Sequence, residues 1–252
     1  VELIKYNPKE VIISNRDPNI KVNGNGVNAL KENGIKVIEG IKRKEGEDLN
    51  KRFFTNQNKK RPYVILKWAQ TEDGYIARQD GSSKWISNSM SRKHVHKWRS
   101  EEIGICVGIE TAIKDNPKLN VRRWFGENPK RIIINPKNKS LKNKKVLDDE
   151  LSTFIMTEGQ DSTSSEKKYF KLNTFTFKNI LNKLYDEGIS SLIVEGGSKT
   201  INRILEDNLW DEARVFIGNV NFKKGTRAPN LKIRNKHKDI NGDKLHIILN
   251  NE

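Results

Sequence analysis

The stretch Ser191-Leu-Ile-Val-Glu-Gly-Gly-Ser-Lys-Thr200 decides how the chain folds. Its first four residues form a short apolar run of the kind that makes a buried strand. The two glycines then lead into a segment whose apolar residues Ile201, Ile204 and Leu205 have helical spacing. Backbone N–H groups at the start of a helix favour an anion, and glycine lets a phosphate approach them. The stretch therefore predicts a strand, a phosphate-binding turn and a helix, although the same residues also fit an ordinary strand-to-helix turn.

The alternation of strand and helix continues on both sides of this stretch. Apolar runs predict strands over 64–66, 75–77, 103–107, 132–134, 154–156, 192–194, 215–217 and 245–249. Helices are predicted over 87–99, 177–187 and 199–207, and the polar segment 159–168 is predicted to be a surface loop. This pattern indicates an α/β domain with a mixed, mostly parallel sheet flanked by helices.

Residues 1–60 form a separate block. A predicted strand at 10–14, a short helix and a second strand at 35–38 follow one another, which predicts a parallel pair with a right-handed crossover. The block is only a fragment of an α/β domain, because it has too few elements to cover both faces of a sheet. We expect a domain boundary near Arg61-Pro62 and a second domain over 61–252.

The composition excludes several classes of protein. The 252 residues contain 48 Lys+Arg against 32 Asp+Glu, a formal net charge of +16, and 34% are hydrophobic, which is enough for a packed core. The single Cys106 cannot form an internal disulfide, which favours a reducing, cytoplasmic compartment. No window approaches the ~18 apolar residues of a membrane helix. Basic and acidic residues are interleaved, so we expect a solvated surface with neither nucleic acid nor membrane as partner.

Arg99, Arg122 and Arg123 are candidates for binding a phosphate. Arginine suits this role because its planar guanidinium can donate two parallel hydrogen bonds to one phosphate. Arg99 ends a predicted helix, and Arg122 follows Asp115-Asn-Pro117 in a loop that leaves a strand. Loops at the carboxyl ends of strands bind the ligands of open α/β sheets, so position favours these arginines over other surface charges.

His94 and His96 form an H-x-H pair on the predicted helix 87–99. Two metal ligands need i, i+3 or i+4 spacing to share a helix face, and no acidic or thiolate partner supplies a third ligand. His237 and His246 are isolated, so no nucleophile–histidine pairing of a hydrolase is found. We expect His94 and His96 to be solvated and expect no metal site.

Several segments together resemble the C-terminal reductase domain of the bifunctional deaminase/reductase of bacterial riboflavin biosynthesis. They occur in the family's order at 61–67 with 73–77, 81–87, 107–122 and 194–198. The resemblance implies a dihydrofolate-reductase-like fold for 61–252, preceded by a partial α/β deaminase fragment.

The block 1–60 resembles the last third of the family's zinc-dependent deaminase domain, through Asp17-Pro-Asn19 and Gly24-Asn-Gly26. A zinc deaminase needs H-x-E and P-C-x-x-C patterns, and neither is present. The resemblance thus implies a remnant that binds no zinc and cannot deaminate. Val1 in place of an initiator Met leads us to expect a truncated chain.

The resemblance also implies the reaction and the residues that carry it. The reaction would be the NADPH-dependent reduction of 5-amino-6-(5-phosphoribosylamino)uracil to its ribitylamino product, catalysed by a cytoplasmic homodimer or larger homo-oligomer. The implied substrate-binding residues are Ser83, Arg99, Leu119, Arg122 and Glu195. The implied cofactor-binding residues are Ala69, Trp85, Thr111, Asp115, Gly197, Ser198, Lys199, Thr200, Ile201, Asn202 and Arg203.

Three of these residues have a more specific expectation. Arg99 and Arg122 would hold the phosphate, and Trp85 would pack beside the nicotinamide. No catalytic residue or proton donor is assigned. Two alternatives stay open: a dihydrofolate-reductase-like enzyme with another pteridine or pyrimidine substrate, and a basic nucleic-acid-binding module.

Overall fold

The computed structural model describes residues 2–19, 21–22, 24–83, 85–164 and 166–250. The chain divides into two compact units between Arg61 and Pro62. Within the described residues, no helix is long and apolar enough to cross a membrane.

The first unit contains one small parallel sheet. After a short 3-10 helix at Glu2–Tyr6, its elements are β1 (Glu10–Ile13), α1 (Asn25–Glu32), β2 (Lys36–Glu39), α2 (Arg43–Leu49) and α3 (Lys51–Lys59). β1 and β2 pair in parallel, as the strand–helix–strand pattern predicts. The turn from α1 into β2 needs a positive φ, which Gly34 supplies at 75°.

Among its described residues, the second unit contains the large sheet and four helices. Its first half contains β3 (Tyr63–Thr71), β4 (Tyr75–Ala77), α4 (Ser89–Glu101), β5 (Gly104–Gly108), α5 (Ile109–Lys114), β6 (Lys130–Ile134), β7 (Thr153–Thr157), β8 (Ser162–Thr163) and β9 (Lys167–Lys171). Its second half contains α6 (Phe177–Asp186), β10 (Ser191–Val194), α7 (Ser198–Glu206), β11 (Glu212–Gly218), β12 (Thr226–Arg227), β13 (Lys238–Ile240) and β14 (Asp243–Leu249).

Ten of these strands form one sheet in the order β13-β14-β11-β3-β10-β5-β6-β7-β9-β8. The seven strands from β11 to β9 in this order run parallel, and β14, β13 and β8 run antiparallel to their neighbours. The predicted α/β class with a mixed, mostly parallel sheet is confirmed. The central strands are continuous apolar runs because helices cover both faces of the sheet, and all four residues of β10 are buried.

The predicted surface loop 159–168 is wrong in part. Ser162 and Thr163 form β8, which pairs with β9, and Lys167 and Lys168 already belong to β9. β9 adds to the sheet beside β7 and lies near its edge, where Ser, Thr and Lys side chains face solvent. Polar composition alone therefore hides this pair of strands.

The order of the central strands determines where ligands can bind. β10 lies between β3 and β5 in the sheet, although it follows both in the chain. Val194 at the end of β10 is in register with Leu66 of β3 and Cys106 of β5. Lys67 within β3 and Glu195, the first residue after β10, consequently lie at the same level on neighbouring strands, towards the carboxyl edge where open α/β sheets bind their ligands.

Candidate active site

A cleft with two lobes lies at the carboxyl edge of the parallel strands. The first lobe, called here the basic lobe, has a volume of about 470 Å³ and is lined by five cationic side chains, those of Lys67, Arg92, Arg99, Arg122 and Arg123. The second, the glycine lobe, has a volume of about 660 Å³ and contains the turn from β10 to α7. The lobes are continuous because they share the lining residues Ile76, Ser83, Thr111, Asp115, Gly197 and Ser198.

The turn between β10 and α7 is built by glycine. Gly197 has a φ of 71°, a conformation that side chains disfavour. A Cβ on Gly196 would lie 2.8 Å from Cγ1 of Val107, so no side chain fits there without a shift of β5. α7 begins at Ser198, and its first N–H groups have no partner within the helix. The predicted strand, turn and helix are all present, and the backbone forms a concave surface suited to an anion.

A buried carboxylate joins the two sides of the basic lobe. Glu195 accepts hydrogen bonds from Nε and Nη2 of Arg99 at 2.7 and 2.8 Å, and Nζ of Lys67 lies 3.6 Å away. Burial acts to raise the pKa of the Glu195 carboxyl, but Arg99 and Lys67 outweigh it and hold that pKa at about 2. Burial lowers the pKa of Lys67, and Glu195 opposes this effect. Glu195 is therefore ionised throughout the physiological pH range.

His96 is not solvated, so the prediction for this residue is wrong. It is 4% exposed and lines the basic lobe, where its Nδ1 accepts the backbone N–H of Arg122 at 3.3 Å. Burial first, and then the positive charges of Arg99 and Arg122, lower the pKa of His96 to about 4. The ring is neutral at pH 7, with its proton on Nε2. His94 is half-buried, with its ring 6.3 Å from that of Trp98, so it is solvated only in part.

α4 brings three polar side chains to the basic lobe. Arg92, His96 and Arg99 follow one another at spacings of four and three residues, which places them on one helix face. Asn88 starts the helix, because its side chain accepts the backbone N–H of Ser91 at 2.9 Å. This spacing is the sequence pattern from which Arg92 and His96 could have been predicted.

Most of the predicted site residues meet at the cleft. Those that line the basic lobe alone are Ala69, Trp85, Arg99, Arg122, Glu195 and Ile201. Those that line both lobes are Ser83, Thr111, Asp115, Gly197 and Ser198. Those that line the glycine lobe alone are Lys199, Thr200 and Arg203.

Two predicted site residues are not brought to the cleft. The Leu119 side chain is 2% exposed and packs in the core beneath the sheet. The Asn202 side chain instead accepts the backbone N–H of Asn230 at 3.0 Å. Neither side chain lines the basic or the glycine lobe. Sequence reasoning in turn missed Lys67, Arg92 and His96.

The parallel sheet, the glycine turn and the cationic lobe define an α/β protein with a cationic ligand cleft at the carboxyl edge of its sheet. The family model of the RibD C-terminal domain matches residues 62–222, and the chain belongs to this family. The riboflavin biosynthesis protein RibD of Aquifex aeolicus is 38% identical over 239 residues, which cover 92% of this chain and 67% of that protein. RibD of Bacillus amyloliquefaciens is 33% identical, with 91% and 64% covered. The chain thus spans about two thirds of the length of these curated relatives.

Solved structures give the same result. The diaminohydroxyphosphoribosylaminopyrimidine deaminase/5-amino-6-(5-phosphoribosylamino)uracil reductase of Thermotoga maritima matches with a TM-score of 0.87 and 34% identity, over 98% of this chain and 73% of that one. Acinetobacter baumannii RibD matches with a TM-score of 0.86 and 27% identity, over 98% and 74%. The riboflavin biosynthesis reductase Rib7 of Saccharomyces cerevisiae, at 21% identity and a TM-score of 0.61 over 80% of this chain and 98% of that one, shares the fold.

Proposed function

We propose that this chain catalyses the NADPH-dependent reduction of 5-amino-6-(5-phosphoribosylamino)uracil, converting its ribosyl group to ribityl in riboflavin biosynthesis. The observation that carries the proposal is the cleft with two unlike lobes. One lobe has the backbone surface that a dinucleotide pyrophosphate requires, and the other has arginines for a phosphorylated substrate. Membership of the RibD C-terminal domain family supports this assignment.

The glycine lobe fits a dinucleotide. Gly196 packs closely on Val107 and Gly197 takes the positive φ of the turn, so the backbone at Gly197 and Ser198 faces the lobe, where a pyrophosphate can approach it. Lys114, Lys199 and Arg203 add positive charge along the same lobe. Glu110 and Asp115 line the lobe as well, and we assign a 2′-phosphate to the cationic side chains, which favours NADPH over NADH. Bound NADPH supplies the hydride.

The basic lobe supplies the groups around the reacting sugar. Opening of the ribosyl ring gives a C1–nitrogen double bond, and reduction adds a hydride to C1 and a proton to the nitrogen. Glu195, with a pKa of about 2, is ionised and has no proton to give. The imidazolium of His96 has a pKa of about 4, so at pH 7 the ring is neutral and has no acidic proton to give. Lys67 lines the lobe, and burial lowers the pKa of its ammonium group. We therefore assign proton donation to Nζ of Lys67, with Glu195, which Arg99 holds in place, orienting the polar pyrimidine.

Residues 1–60 have a different proposed origin. We assign them to the end of a deaminase domain, on the resemblance of their loops to that domain. They contain neither His nor Cys, and no group of three or more His, Cys, Asp or Glu able to hold a metal occurs in the described parts of the chain. We propose that these 252 residues reduce without deaminating, as a cytoplasmic homodimer or larger homo-oligomer.

The decisive experiment measures NADPH oxidation with the deaminated pyrimidine as substrate. We expect turnover with NADPH, much slower turnover with NADH, and no effect of a chelator. The dephosphorylated pyrimidine serves as the control for the arginines of the basic lobe. Absence of turnover would overturn the proposal. Turnover with an unphosphorylated pteridine at equal efficiency would favour the alternative reductase, and tight, salt-sensitive RNA binding without turnover would favour a nucleic-acid-binding module.

A further inference from the structure

Two histidines lie close together outside the cleft, at the β13 edge of the large sheet. His246 is the fourth residue of β14, and His237 directly precedes β13, the edge strand that pairs with β14. The hairpin brings the two side chains together although they are nine positions apart in the chain, and their ring centroids are 5.4 Å apart. Neither residue lines the basic or the glycine lobe.

The ring of His246 has polar atoms that the protein does not satisfy. The residue is 5% exposed, and neither Nδ1 nor Nε2 has a hydrogen-bond partner among the described residues. Burial lowers the pKa of His246 more than the backbone of Arg234 and Lys236 raises it, so the ring is neutral at pH 7. A neutral imidazole has one N–H and one lone pair, and a nearby backbone carbonyl can accept only the N–H. The buried lone pair therefore needs a donor or a cation.

His237 presents a second lone pair. Its Nδ1 lies 3.0 Å from the carbonyl oxygen of Asn235. Because a carbonyl can only accept, Nδ1 of the neutral ring carries the proton and Nε2 has the lone pair. Histidines that bind metals are commonly oriented in this way, with the other ring nitrogen donating to a backbone carbonyl. His237 is exposed, so an ion can reach it from solvent.

The spacing of the two rings fits one metal ion between them. A tetrahedral Zn²⁺ bound at about 2.0–2.1 Å to one nitrogen of each of two imidazoles puts the ring centroids about 5 Å apart. The observed 5.4 Å is close to this value. Two lone pairs cannot form a hydrogen bond with each other, and burial, His237 and Lys244 all oppose a proton on His246. The charge of Lys244 also weakens metal binding, so we expect lower affinity than at a site with four protein ligands.

We propose that His237 and His246 bind a divalent transition metal ion such as Zn²⁺, with water completing its coordination. Imidazole nitrogen suits Zn²⁺, Cu²⁺ and Ni²⁺. The expectation of no metal site came from sequence spacing, which does not show that the hairpin joins these two histidines. The ion would connect the long segment before β13, which includes Thr226 of the glycine lobe, to β14. Its role is to stabilise the fold, since an ion that binds only the folded chain raises its stability.

The test titrates the metal-free full chain with ZnCl₂ by calorimetry, without substrate or NADPH. We expect one Zn²⁺ per chain, with a dissociation constant on the order of 10 µM. His237→Ala and His246→Ala should each weaken binding by more than about 10-fold, because loss of a supporting contact to a ligand already costs that much. Mg²⁺ should not bind, since it prefers oxygen ligands.

His94→Ala is the matched control. His94 is also a partly accessible histidine, but its ring lies beside Trp98 and not beside a second imidazole. Its Zn²⁺ affinity should equal that of the wild type. Thermal denaturation gives the second readout: excess Zn²⁺ should raise the Tm of the wild type and of His94→Ala, and leave the Tm of His237→Ala unchanged. His237 is exposed, so this variant should fold normally.

Wild-type Zn²⁺ affinity no tighter than that of His237→Ala, or an equal loss in His94→Ala, would overturn the inference. A Zn²⁺-dependent rise in Tm that persists in His237→Ala would also overturn it. The site lies outside both lobes, so the inference does not depend on the proposed reaction, and turnover should remain insensitive to a chelator.

Discussion

The two lobes of the cleft are built by different parts of the polypeptide. The glycine lobe presents backbone at the start of α7, held by the close approach of Gly196 to Val107. The basic lobe presents side chains from α4, β3 and a loop, held by the carboxylate of Glu195. A site made of backbone depends on the absence of side chains, whereas a site made of side chains depends on charge balance. We therefore expect a substitution in the basic lobe to reduce mainly stability and substrate affinity, and a substitution in the glycine lobe to reduce mainly NADPH affinity.

The largest effect is expected from Glu195→Gln. The substitution leaves Arg99 and Lys67 buried beside each other without a counter-charge, which we expect to lower the free energy of unfolding by about 3–5 kcal/mol. NADPH affinity should fall much less than affinity for the phosphorylated substrate. Urea denaturation measures the first quantity and fluorescence titration the second. Glu72→Gln is the matched control, because the Glu72–Lys244 pair is exposed and contributes ~1 kcal/mol or less.

Acid should destabilise the basic lobe in two successive pH ranges. The folded pKa of His96 is lowered from 6.5 to about 4, so only the unfolded chain takes up a proton as the pH falls from 6.5 to 4. The folded pKa of Glu195 is lowered from 4.5 to about 2, so its stabilisation is lost between pH 4.5 and 2. Each loss is on the order of 3 kcal/mol. Denaturation at about pH 7, 5 and 3 checks this. In His96→Asn, the free energy of unfolding should no longer fall between pH 6.5 and 4, while its fall between pH 4.5 and 2 should remain. An unchanged fall between pH 6.5 and 4 would contradict the assignment to His96.

Gly196→Ala should affect the glycine lobe and leave the basic lobe intact. The added Cβ would lie 2.8 Å from Val107, and relief of this contact by moving the turn should cost about 1–3 kcal/mol of NADPH binding, roughly a 5-fold to 150-fold loss. Affinity for the phosphorylated substrate should stay at the wild-type level. Gly26→Ala, where a Cβ meets nothing within 4 Å, is the control. Equal loss at both lobes would mean that they are not independent.

The smallest effect is expected from Asn202→Ala. This side chain bonds the backbone N–H of Asn230 and lines neither lobe, so we expect a loss of about 0.5–1.5 kcal/mol in stability and no change in NADPH affinity. Thermal denaturation and NADPH titration together check this. A weaker NADPH affinity in Asn202→Ala would contradict this expectation and would indicate that Asn202 binds the cofactor, as the family resemblance implies.

The same contrast explains what could be predicted from the sequence. A backbone-built site leaves local marks, so Gly196 and Gly197 between an apolar run and a helical run were enough to predict the turn. The alternation of strands and helices likewise fixed the α/β class. The pairing of Arg99 with Glu195 joins residues 96 positions apart and depends on β10 entering the sheet beside β3, which no local pattern indicates. The H-x-H spacing of His94 and His96 does not reveal that His96 is buried, whereas its spacing from Arg92 and Arg99 places it on the helix face that lines the lobe.

The position of β10 also has a consequence for synthesis of the protein. β3 and β5 do not pair with each other, because β10 lies between them in the sheet. β10, residues 191–194, is synthesised after β3 to β9. Pairing over such sequence distances is slow, because the intervening chain must be ordered first. A nascent chain that has emerged only as far as α6 has neither of the strands, β10 and β11, that flank β3 in the sheet. Both lobes contain Gly197 and Ser198, so neither lobe can be complete before the residues that follow β10 have been made.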